Sequence, residues 1–481
     1  MNVPELWPAL LVSMPLAGAV LGFVRMSLGP PLAQFTALTM IVITGFLPVS
    51  LIGQENQQHS LGGWGPPLGI DWRLDAMAAV LLLLAALVMG GATLYRAAAE
   101  RAVDFKVEHD LFWPLWLFLW ASLNALFLSA DLFNVYVALE LVSLAGVGLI
   151  ALNGGTALAA AWRYFLAMML GSGLYLVGVA LIYGQYGTLD MIQTADALTV
   201  QSTTMTGAAL ISGGLLLKAA IFPLHIWLPS AHGRASVPVS AALSGVVVAA
   251  SFYLLTRLWL GPFESLLEVG PPQLFGVLGV AAIIWGGLLA LVQRRLKMLI
   301  AYSTVSQLGY AMLVFPLAAT TAGSAHAQGG MVILLLSHGL AKAALFLAAG
   351  CIVLQQGHDR LDRLSGANRY SALAWLAFAL AGASMVGIPP SGGFLAKWWL
   401  LQSALLAEQW LWISAIILGG ALTAAYLFRA LEPAITLTAK ETGKTPPLAL
   451  NLAALMLAVA AWMVGLVPGA AESLLINRGE A

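Results

Sequence analysis

The segment Gly213–Pro229, GGLLLKAAIFPLHIWLP, decides how this chain folds. It is apolar enough to lie in a bilayer, yet it contains a lysine, Lys218, and a proline inside the apolar run, Pro223. Proline breaks a helix, and the carbonyl groups that it frees are tolerated in a membrane only where protein or water satisfies them. The segment therefore predicts a broken transmembrane helix that carries a charge into a polar interior.

The composition agrees with a membrane protein. Hydrophobic residues make up 60% of the 481 residues, charged residues only 9%, and the mean hydropathy is +0.91. Soluble chains carry about 25% charged residues. The 21 cations balance the 21 anions, which gives no reason to expect a nucleic-acid partner. A single cysteine excludes an internal disulfide, and no nucleotide-binding, redox or metal motif is present, so we expect no cofactor, no metal and no catalytic centre.

Apolar segments long enough to cross the membrane recur along the whole chain. A spanning helix needs about 20 residues, whereas barrel strands are about half as long and alternate in polarity. We therefore predict an all-α polytopic membrane protein. Its fourteen predicted spans are 5–24, 32–52, 74–95, 111–130, 132–152, 163–184, 207–224, 236–258, 273–292, 299–318, 329–354, 372–400, 411–432 and 448–467.

Lysines and arginines predict the orientation of these spans. Loops that join an odd span to the next even one hold fifteen of them, and the opposite side holds only Arg73, Arg257 and Arg478. Because cytoplasmic loops carry the excess of positive charge, both termini are expected on the outer side. The remaining three cations, Lys218, Lys342 and Lys397, lie inside predicted spans.

Glu140 is the one acid predicted deep within a span. It lies nine residues after Asp131, which is a rise of about 13.5 Å along a helix. A charge at the bilayer centre costs about 2.5–3.5 kcal/mol on insertion scales, so such groups indicate a path for ions or protons. Two alternatives remain open: Glu140 forms a structural ion pair, and Lys218 only satisfies the broken backbone. Asp131 is interpreted as an interface residue or helix cap.

Histidines add groups that titrate near neutral pH. His338 and Lys342 are spaced i, i+4 and share one helix face, which is typical of a proton relay. The same pair is also compatible with a buried polar pair bonded to carbonyls. His225 follows the break after Lys218, and its role as a proton carrier or as a polar structural residue stays open.

A second break is predicted in Gly387–Leu400, GIPPSGGFLAKWWL, where Pro389 and Pro390 precede Lys397. The two broken spans are the seventh and the twelfth. Broken helices at matching positions of two halves indicate an internal repeat, and an odd offset of five spans makes the second copy inverted.

These motifs together resemble the antiporter-like family shared by respiratory complex I, Mrp cation/proton antiporters and membrane-bound hydrogenases. The matching stretches are DLFNVYVALE, LKAAIFPLHIWLPSAH, RRLKMLIAYSTVSQLGYAML, SHGLAKAALFLAAG and GIPPSGGFLAKWWLL, in this order over about 130–400. GGWGPPLGIDWRLDAMAAVLL at 62–82 is similar to the Mrp D-type subunit in particular.

The resemblance implies an organisation and a set of roles. Two inverted five-helix bundles would comprise spans four to eight and nine to thirteen, and Glu140 with Lys218 would be the ion pair of the first. His338 and Lys342 would be the central relay, and Lys397 the charge of the second break. The implied divisions are 1–110 (N-terminal three-helix segment), 111–258 and 273–432 (the two repeats) and 433–481 (C-terminal helix and tail).

The chain departs from the family pattern at two positions. Ala249 stands where many members have a lysine, and no lysine, histidine or carboxylate lies in 235–256. Gln307 stands where many members have histidine. Both changes remove a titratable side chain from the central relay. Water held by Ser244 or Ser251 would have to carry protons across the resulting gap.

The leading hypothesis is a proton-translocating subunit of an Mrp-type monovalent cation/proton antiporter in a bacterial inner membrane, with other membrane subunits as partners. The second is a pumping subunit of a redox-driven complex, similar to NADH:quinone oxidoreductase or an energy-converting hydrogenase. The third is a scaffold, or a coupling subunit of an inorganic-carbon uptake complex, with an interrupted relay.

Overall fold

The computed structural model describes residues 6–52, 56–102, 111–270, 272–320, 323–364, 372–435 and 446–475. Almost all of the secondary structure in these ranges is helical. The helices before the first break are α1 (Trp7–Val24), α2 (Gly29–Ser50), α3 (Ala76–Ala102), α4 (Phe112–Leu128), α5 (Leu132–Ala151), α6 (Thr156–Tyr186), α7 (Met191–Ala197) and α8 (Ser202–Lys218).

The chain then continues through six helices to the long central helix of the second half. They are α9 (Leu228–Arg234), α10 (Val237–Ala242), α11 (Val248–Trp259), α12 (Pro272–Val292), α13 (Leu296–Met312) and α14 (Val314–Ala318), followed by the central helix α15 (Ser324–Gln356). The last five are α16 (Ala372–Val386), α17 (Gly392–Leu406), α18 (Trp410–Ile435), α19 (Leu448–Met463) and α20 (Pro468–Leu475).

Shorter elements connect these helices. A π-helical turn, Leu243–Val247, joins α10 to α11. The 3₁₀ turns are Met26–Leu28, Leu61–Gly63, Leu224–Trp227, Glu264–Leu267, Leu361–Arg363 and Val464–Leu466. One antiparallel hairpin, β1 (Gln57–Ser60) with β2 (Asp71–Leu74), follows α2 and is the one exception to the all-α prediction in the described ranges.

Eleven helices in the described ranges are long and apolar enough to cross a bilayer. The nearly all-helical fold with many spans is thus confirmed. Of the fourteen predicted spans, however, only eleven are formed by a single continuous helix of sufficient length within the described residues. The segment 111–130 forms a helix of only 17 residues, α4, because the chain becomes extended at Ser129. The segments 207–224 and 372–400 fall short because they contain the two breaks, after Lys218 and after Val386.

The sixth span begins earlier than predicted. Gly154 and Gly155 have positive φ angles of 61° and 50°, which glycine adopts without steric cost, and α6 starts at Thr156. Arg163, expected in a loop, therefore lies in the second turn of α6 and is exposed. Arg257, also expected in a loop, lies near the end of α11 and is buried.

Arg257 and Arg73, which the charge pattern placed on one side of the membrane, converge on Asp75. The Arg257 guanidinium donates to both Asp75 oxygens at 2.9 and 3.2 Å, and Nε of Arg73 is 3.3 Å from Oδ2. Burial alone would raise the pKa of Asp75, but the two guanidinium groups and the backbone N–H of Ala78 outweigh it and hold that pKa below its usual value. The start of α3 is thereby attached to the end of α11.

Helix α15 forms the centre of the molecule, and α3, α13, α16, α17 and α19 pack around it. Its spanning segment is entirely buried. Helices α3 and α19 also contact each other, so the predicted N-terminal and C-terminal segments both pack against the second half. The boundaries of the predicted repeats, and their inverted relation, stay predictions. Residues 436–445 and 476–481 of the predicted C-terminal segment lie outside the described residues.

Candidate functional site

The first break places Lys218 at the end of α8. Helix α8 stops at Lys218, Ala220 adopts a positive φ of 54°, and the 3₁₀ turn Leu224–Trp227 follows Pro223. The indole N–H of Trp227 donates to the freed carbonyl of Leu217 at 2.9 Å. A tryptophan therefore satisfies part of the broken backbone, which leaves the lysine free for other partners.

Lys218 is buried between α5 and α6. Its Nζ donates to the hydroxyl of Ser143 at 2.8 Å and lies 4.0 Å from Oε1 of Glu140. The predicted pair is thus brought together, but at a separation longer than a hydrogen bond. Oε1 of Glu140 has no hydrogen-bond partner among the described residues, and the Glu140 side chain is 18% exposed.

Two glycines, Gly171 and Gly214, let α6 pack closely against α8 beside this lysine. A Cβ on Gly171 of α6 would lie 3.1 Å from Cγ of Lys218 and 3.0 Å from the carbonyl oxygen of Gly214 in α8. Small residues allow membrane helices to pack with their backbones close together. The close contact of α6 with α8 therefore depends on glycine at these positions.

His225 lies beyond the break and is not hydrogen-bonded to Lys218. Its ring stacks on Phe222, with centroids 5.7 Å apart, and its Nδ1 has no hydrogen-bond partner in the described part of the chain. Tyr302 of α13 is an aromatic neighbour from the second half, with ring centroids 6.5 Å apart. His225 thus lies where the two halves meet, and no hydrogen bond or salt bridge in the described ranges joins it to a charged group.

The centre of the second half contains His338 and Lys342 on α15. Nζ of Lys342 donates to the carbonyl of Ile300 at 2.9 Å and also to the hydroxyl of Ser303, both on α13. His338 is buried, and neither of its ring nitrogens has a hydrogen-bond partner among the described residues. The surrounding described residues therefore leave both ring nitrogens to water or to another polar group.

A chain of hydroxyl groups extends from Lys342 toward the first half. The Ile300 carbonyl that accepts from Lys342 also accepts from Thr304 Oγ1 at 3.2 Å. Thr304 Oγ1 is in turn 2.7 Å from Oγ of Ser244, in the π-helical turn before α11. Of the two serines expected near the gap, Ser244 therefore lies in this chain.

Ser244 lies in the π-helical turn that precedes α11. The Val248 N–H donates to the Leu243 carbonyl, five residues back, and this phase brings residues five apart toward the same side of the helix. Ala249 is the second residue of α11, and both Ser244 and Ala249 are buried. π-Turns are frequent at functional sites.

The second break holds Lys397 differently. Helix α16 ends at Val386 and α17 begins at Gly392, with Pro389 and Pro390 between them. Nζ of Lys397 donates to the carbonyls of Met385 at 2.7 Å and Val386 at 3.2 Å, which are the carbonyls freed by the break. It also lies 4.4 Å from the ring centroid of Tyr310, in cation–π geometry.

Gln307, the other departure from the expected pattern, belongs to the same half. Its Nε2 donates to Thr423 Oγ1 at 3.1 Å and reaches Tyr426 at 3.5 Å, both on α18. In the described ranges, neither Lys342 nor Lys397 has a carboxylate within salt-bridge distance. No group of three or more histidine, cysteine or carboxylate side chains there could hold a metal ion.

The interpretation of Asp131 as a helix cap is confirmed, because its carboxylate accepts from the Asn134 N–H at 2.7 Å at the start of α5. The hydroxyl partners of the lysines were missed by the sequence-based prediction. Ser143 was recognisable only as a polar residue one turn after Glu140, while Ser303 and Thr304 are 39 and 60 positions away from their partners.

Comparisons with known proteins agree with this geometry. The family described as "NADH:quinone oxidoreductase/Mrp antiporter, TM" matches residues 129–423. The chain is 33% identical over 436 residues to NADH-quinone oxidoreductase subunit N of Desulforudis audaxviator, covering 89% of this chain and 86% of that protein.

Two further similarities concern antiporters. The D-type subunit of the Na(+)/H(+) antiporter of Bacillus subtilis is 30% identical over 397 residues, covering 80% of this chain and 77% of the relative. A chain of the Mrp complex from Dietzia sp. DQ12-45-1b superposes with a TM-score of 0.87 at 25% identity, over 98% of this chain and 97% of that one. This multi-pass membrane protein therefore belongs to the NADH:quinone oxidoreductase/Mrp antiporter transmembrane family.

Proposed function

We propose that this chain is a proton-translocating subunit of a multisubunit monovalent cation/proton antiporter of the Mrp type. It would lie in a bacterial inner membrane with both termini on the outer side. The D-type antiporter relative and the structural likeness to an Mrp complex support this proposal. Partners are the other membrane subunits of that assembly, and the exchanged ions are protons and a monovalent cation.

The observation that carries the proposal is a set of ionisable groups in the interior of an otherwise apolar bundle. Each of the three buried lysines is held by hydroxyl or carbonyl groups, which accept a hydrogen bond from the protonated and from the neutral amine alike. A fully compensated structural ion pair would instead hold each lysine in its charged form. The groups of the path are Glu140, Lys218, His338, Lys342 and Lys397, with His225 beside it.

Protons would enter at the Glu140–Lys218 pair. The partly exposed carboxylate is the member that exchanges protons with water, and its negative charge stabilises the ammonium 4.0 Å away. Protonation of Glu140 removes that stabilisation and favours release of a proton from Lys218. The pair therefore passes a proton inward in two coupled steps.

The path then has to cross α10 and α11, which carry no lysine, histidine or carboxylate between 235 and 256. A hydroxyl group can accept one proton and donate another, so the Ser244–Thr304 pair is the candidate for this crossing. The pair adjoins Lys342 at the Ile300 carbonyl, to which both Thr304 and Lys342 donate. Because a carbonyl oxygen has no proton to pass on, the last transfer would need a water molecule between the Thr304 hydroxyl and the Lys342 amine.

The test is transport by the intact complex reconstituted in vesicles. With an imposed cation gradient, the wild-type complex should acidify or alkalinise the lumen, and Lys218→Ala should abolish this flux while the complex still assembles. Arg25→Gln, which removes an exposed cation from the α1–α2 connection, is the control and should transport normally. Normal flux in the Lys218→Ala complex would refute the proposal.

A redox-driven complex is the second candidate, favoured by the 33% identical relative named as a subunit of NADH-quinone oxidoreductase. The path of protons within this chain would be the same, but the energy would come from electron transfer in partner subunits. Mass spectrometry of the co-purified complex separates the two. Small membrane subunits alone support antiport, whereas iron–sulfur and flavin subunits support the redox complex.

The orientation has its own experiment. Cysteines placed in 293–298 and 357–370 should react with an impermeant thiol reagent only from the cytoplasm, and those in 185–206 only from outside. The native Cys351 is buried and gives little background. Labelling of 293–298 in intact cells would refute the orientation. Part of the second segment, 365–370, lies outside the described residues.

A further inference from the structure

A basic groove of about 570 Å³ lies where the ends of α6, α9 and α12 meet. Its charged lining comprises four arginines and one carboxylate: Arg163, Arg234, Arg294, Arg295 and Asp359. None of these arginines is assigned to the proton path. The groove therefore concentrates positive charge for which the transport proposal gives no use.

The arginines are poorly compensated within the chain. Nε of Arg295 is 4.0 Å from Oδ1 of Asp359, with the arginine side chain 59% exposed. Arg163, Arg234 and Arg294 form no salt bridge with any residue in the described ranges. Preference for positive charge on one side of the membrane explains the presence of cations there, but it does not require four of them to converge on one cavity.

The loop that carries Arg294 and Arg295 is held in place from two sides. Arg429 of α18 donates to the Gln293 carbonyl at 2.7 Å and to the Leu291 carbonyl at the end of α12. The Leu361 N–H donates to the Arg294 carbonyl at 3.0 Å, and the Leu296 N–H donates to the Asp359 carbonyl at 2.8 Å. The guanidinium groups thus project from a fixed backbone, which lowers the entropic cost of binding.

Two exposed apolar stripes lead to the groove. On α12, Trp285, Leu288 and Val292 are spaced i, i+3, i+7, and Val292 itself lines the groove with 64% exposure. On α6, the stripe ends beside Arg163 and comprises Trp162, Leu166 and Leu170, which are 60%, 50% and 61% exposed. The α6 stripe extends about 12 Å along the helix, most of the roughly 15 Å hydrocarbon thickness of one leaflet.

We propose that this groove binds the phosphate of an anionic two-chain phospholipid, whose acyl chains lie along the stripes of α6 and α12. Guanidinium groups bind phosphate through paired, charge-assisted hydrogen bonds, and basic pockets between membrane helices recognise such headgroups. An acidic loop of a partner subunit would use the arginines but not the apolar stripes. The lipid accounts for both features.

The test is lipid retention by the intact, partly delipidated complex, measured by native mass spectrometry with phosphatidylglycerol or phosphatidylcholine added. Arg163→Gln combined with Arg294→Gln should weaken phosphatidylglycerol retention about thirtyfold, since two cations at roughly 1 kcal/mol each near the membrane surface sum to about 2 kcal/mol. Phosphatidylcholine retention should not change. The matched control, Arg25→Gln with Arg101→Gln, removes two other exposed cations and should behave like the wild type.

A charge-conserving double variant distinguishes a loss of lipid binding from misfolding. Arg163→Lys with Arg294→Lys keeps the charge but loses the paired hydrogen bonds, and it should give an intermediate loss. Equal retention of both lipids by the wild type would overturn the proposal. So would displacement of phosphatidylglycerol by inorganic phosphate alone, or efficient cross-linking of Arg294→Cys to another subunit. These readouts do not depend on proton transport.

Discussion

The two helix breaks share a backbone design but give their lysines different partners. After α8, the lysine precedes the prolyl segment and is bonded to a serine hydroxyl with a carboxylate 4.0 Å away. Before α17, the prolyl segment precedes the lysine, which donates to two carbonyls of the broken helix itself. The freed backbone is satisfied by Trp227 in the first case and by Lys397 in the second.

The first break couples its lysine to a second charged group, whereas the second break only solvates its lysine. The hold on Lys218 depends on the ionisation of Glu140, so protonation of one group changes the other. Lys397 keeps its carbonyl acceptors whether it is charged or neutral, and these carbonyls and the Tyr310 ring favour the charged form without any second titrating group. We infer that the protonation of the first break responds to the proton concentration outside the bundle, while the second break transfers the protons that reach it.

The largest expected loss of proton flux comes from substituting Glu140, the carboxylate that distinguishes the two breaks, or its partner Lys218. Glu140→Ala and Lys218→Ala should each abolish cation-driven proton flux in vesicles, because either change leaves one charge without its counterpart. Glu140→Asp should retain a little activity, since the carboxylate is kept but shortened by one methylene. If both alanine variants transport normally, the pair is structural and the comparison of the two breaks loses its functional meaning.

The next effect concerns the passage between the halves. Ala249→Leu should stop proton flux, because an aliphatic group at this buried position displaces the water that would have to cross there. Because Ala249 is fully buried, overpacking should also cost about 1–3 kcal/mol of stability. Ala250→Leu, at the adjacent and equally buried position, is the matched control for that cost and should still transport. Unchanged flux in Ala249→Leu would place the path elsewhere.

The same position tests whether the interior is polar. Ala249→Lys should assemble, because a polar interior can solvate the new charge far better than packed hydrocarbon can. The measurement is recovery of the intact complex by size-exclusion chromatography. Failure to assemble would mean a dry site, and the scaffold interpretation would gain support over the pump.

A smaller loss of flux is expected when the hydroxyl link is removed by Ser244→Ala with Thr304→Val, because the new side chains are no larger than the native ones and leave the passage open to water. Ser244→Thr keeps the hydroxyl and should keep most of the activity. Thr44→Val is the matched control, since Thr44 is buried in α2 and bonds to its own helix, through the Met40 carbonyl. If the double variant equals this control, the two hydroxyls only join the helices.

The smallest effect should come from Ser143→Ala. Loss of one hydrogen bond to a charged group costs about 1.5–3 kcal/mol when the partner stays buried, but Glu140 still stabilises the ammonium. A several-fold decrease in flux is therefore expected, with an altered pH profile. Ser172→Ala, a buried serine of α6 whose hydroxyl has no hydrogen-bond partner in the described ranges, should change neither quantity.

The fold class and the positions of both breaks followed from the sequence alone. Long apolar segments must form helices in a membrane because every backbone group has to be satisfied internally, and proline interrupts that pattern locally. Lys218, Lys342 and Lys397 were recognisable because a charge within a span is rare. These features can be read from the linear sequence, because each depends on the chemistry of only a few neighbouring residues.

Only the tertiary structure decided what the buried charges contact. Ser143 meets Lys218 across 75 positions of sequence, and Ser244 meets Thr304 across 60, contacts that no local pattern encodes. The early start of α6, the π-helical turn before α11 and the convergence of four arginines on one groove were likewise not predicted. The physical reason is that hydropathy determines which segments enter the bilayer, whereas partners inside it depend on helix rotation and on close packing at glycines such as Gly171.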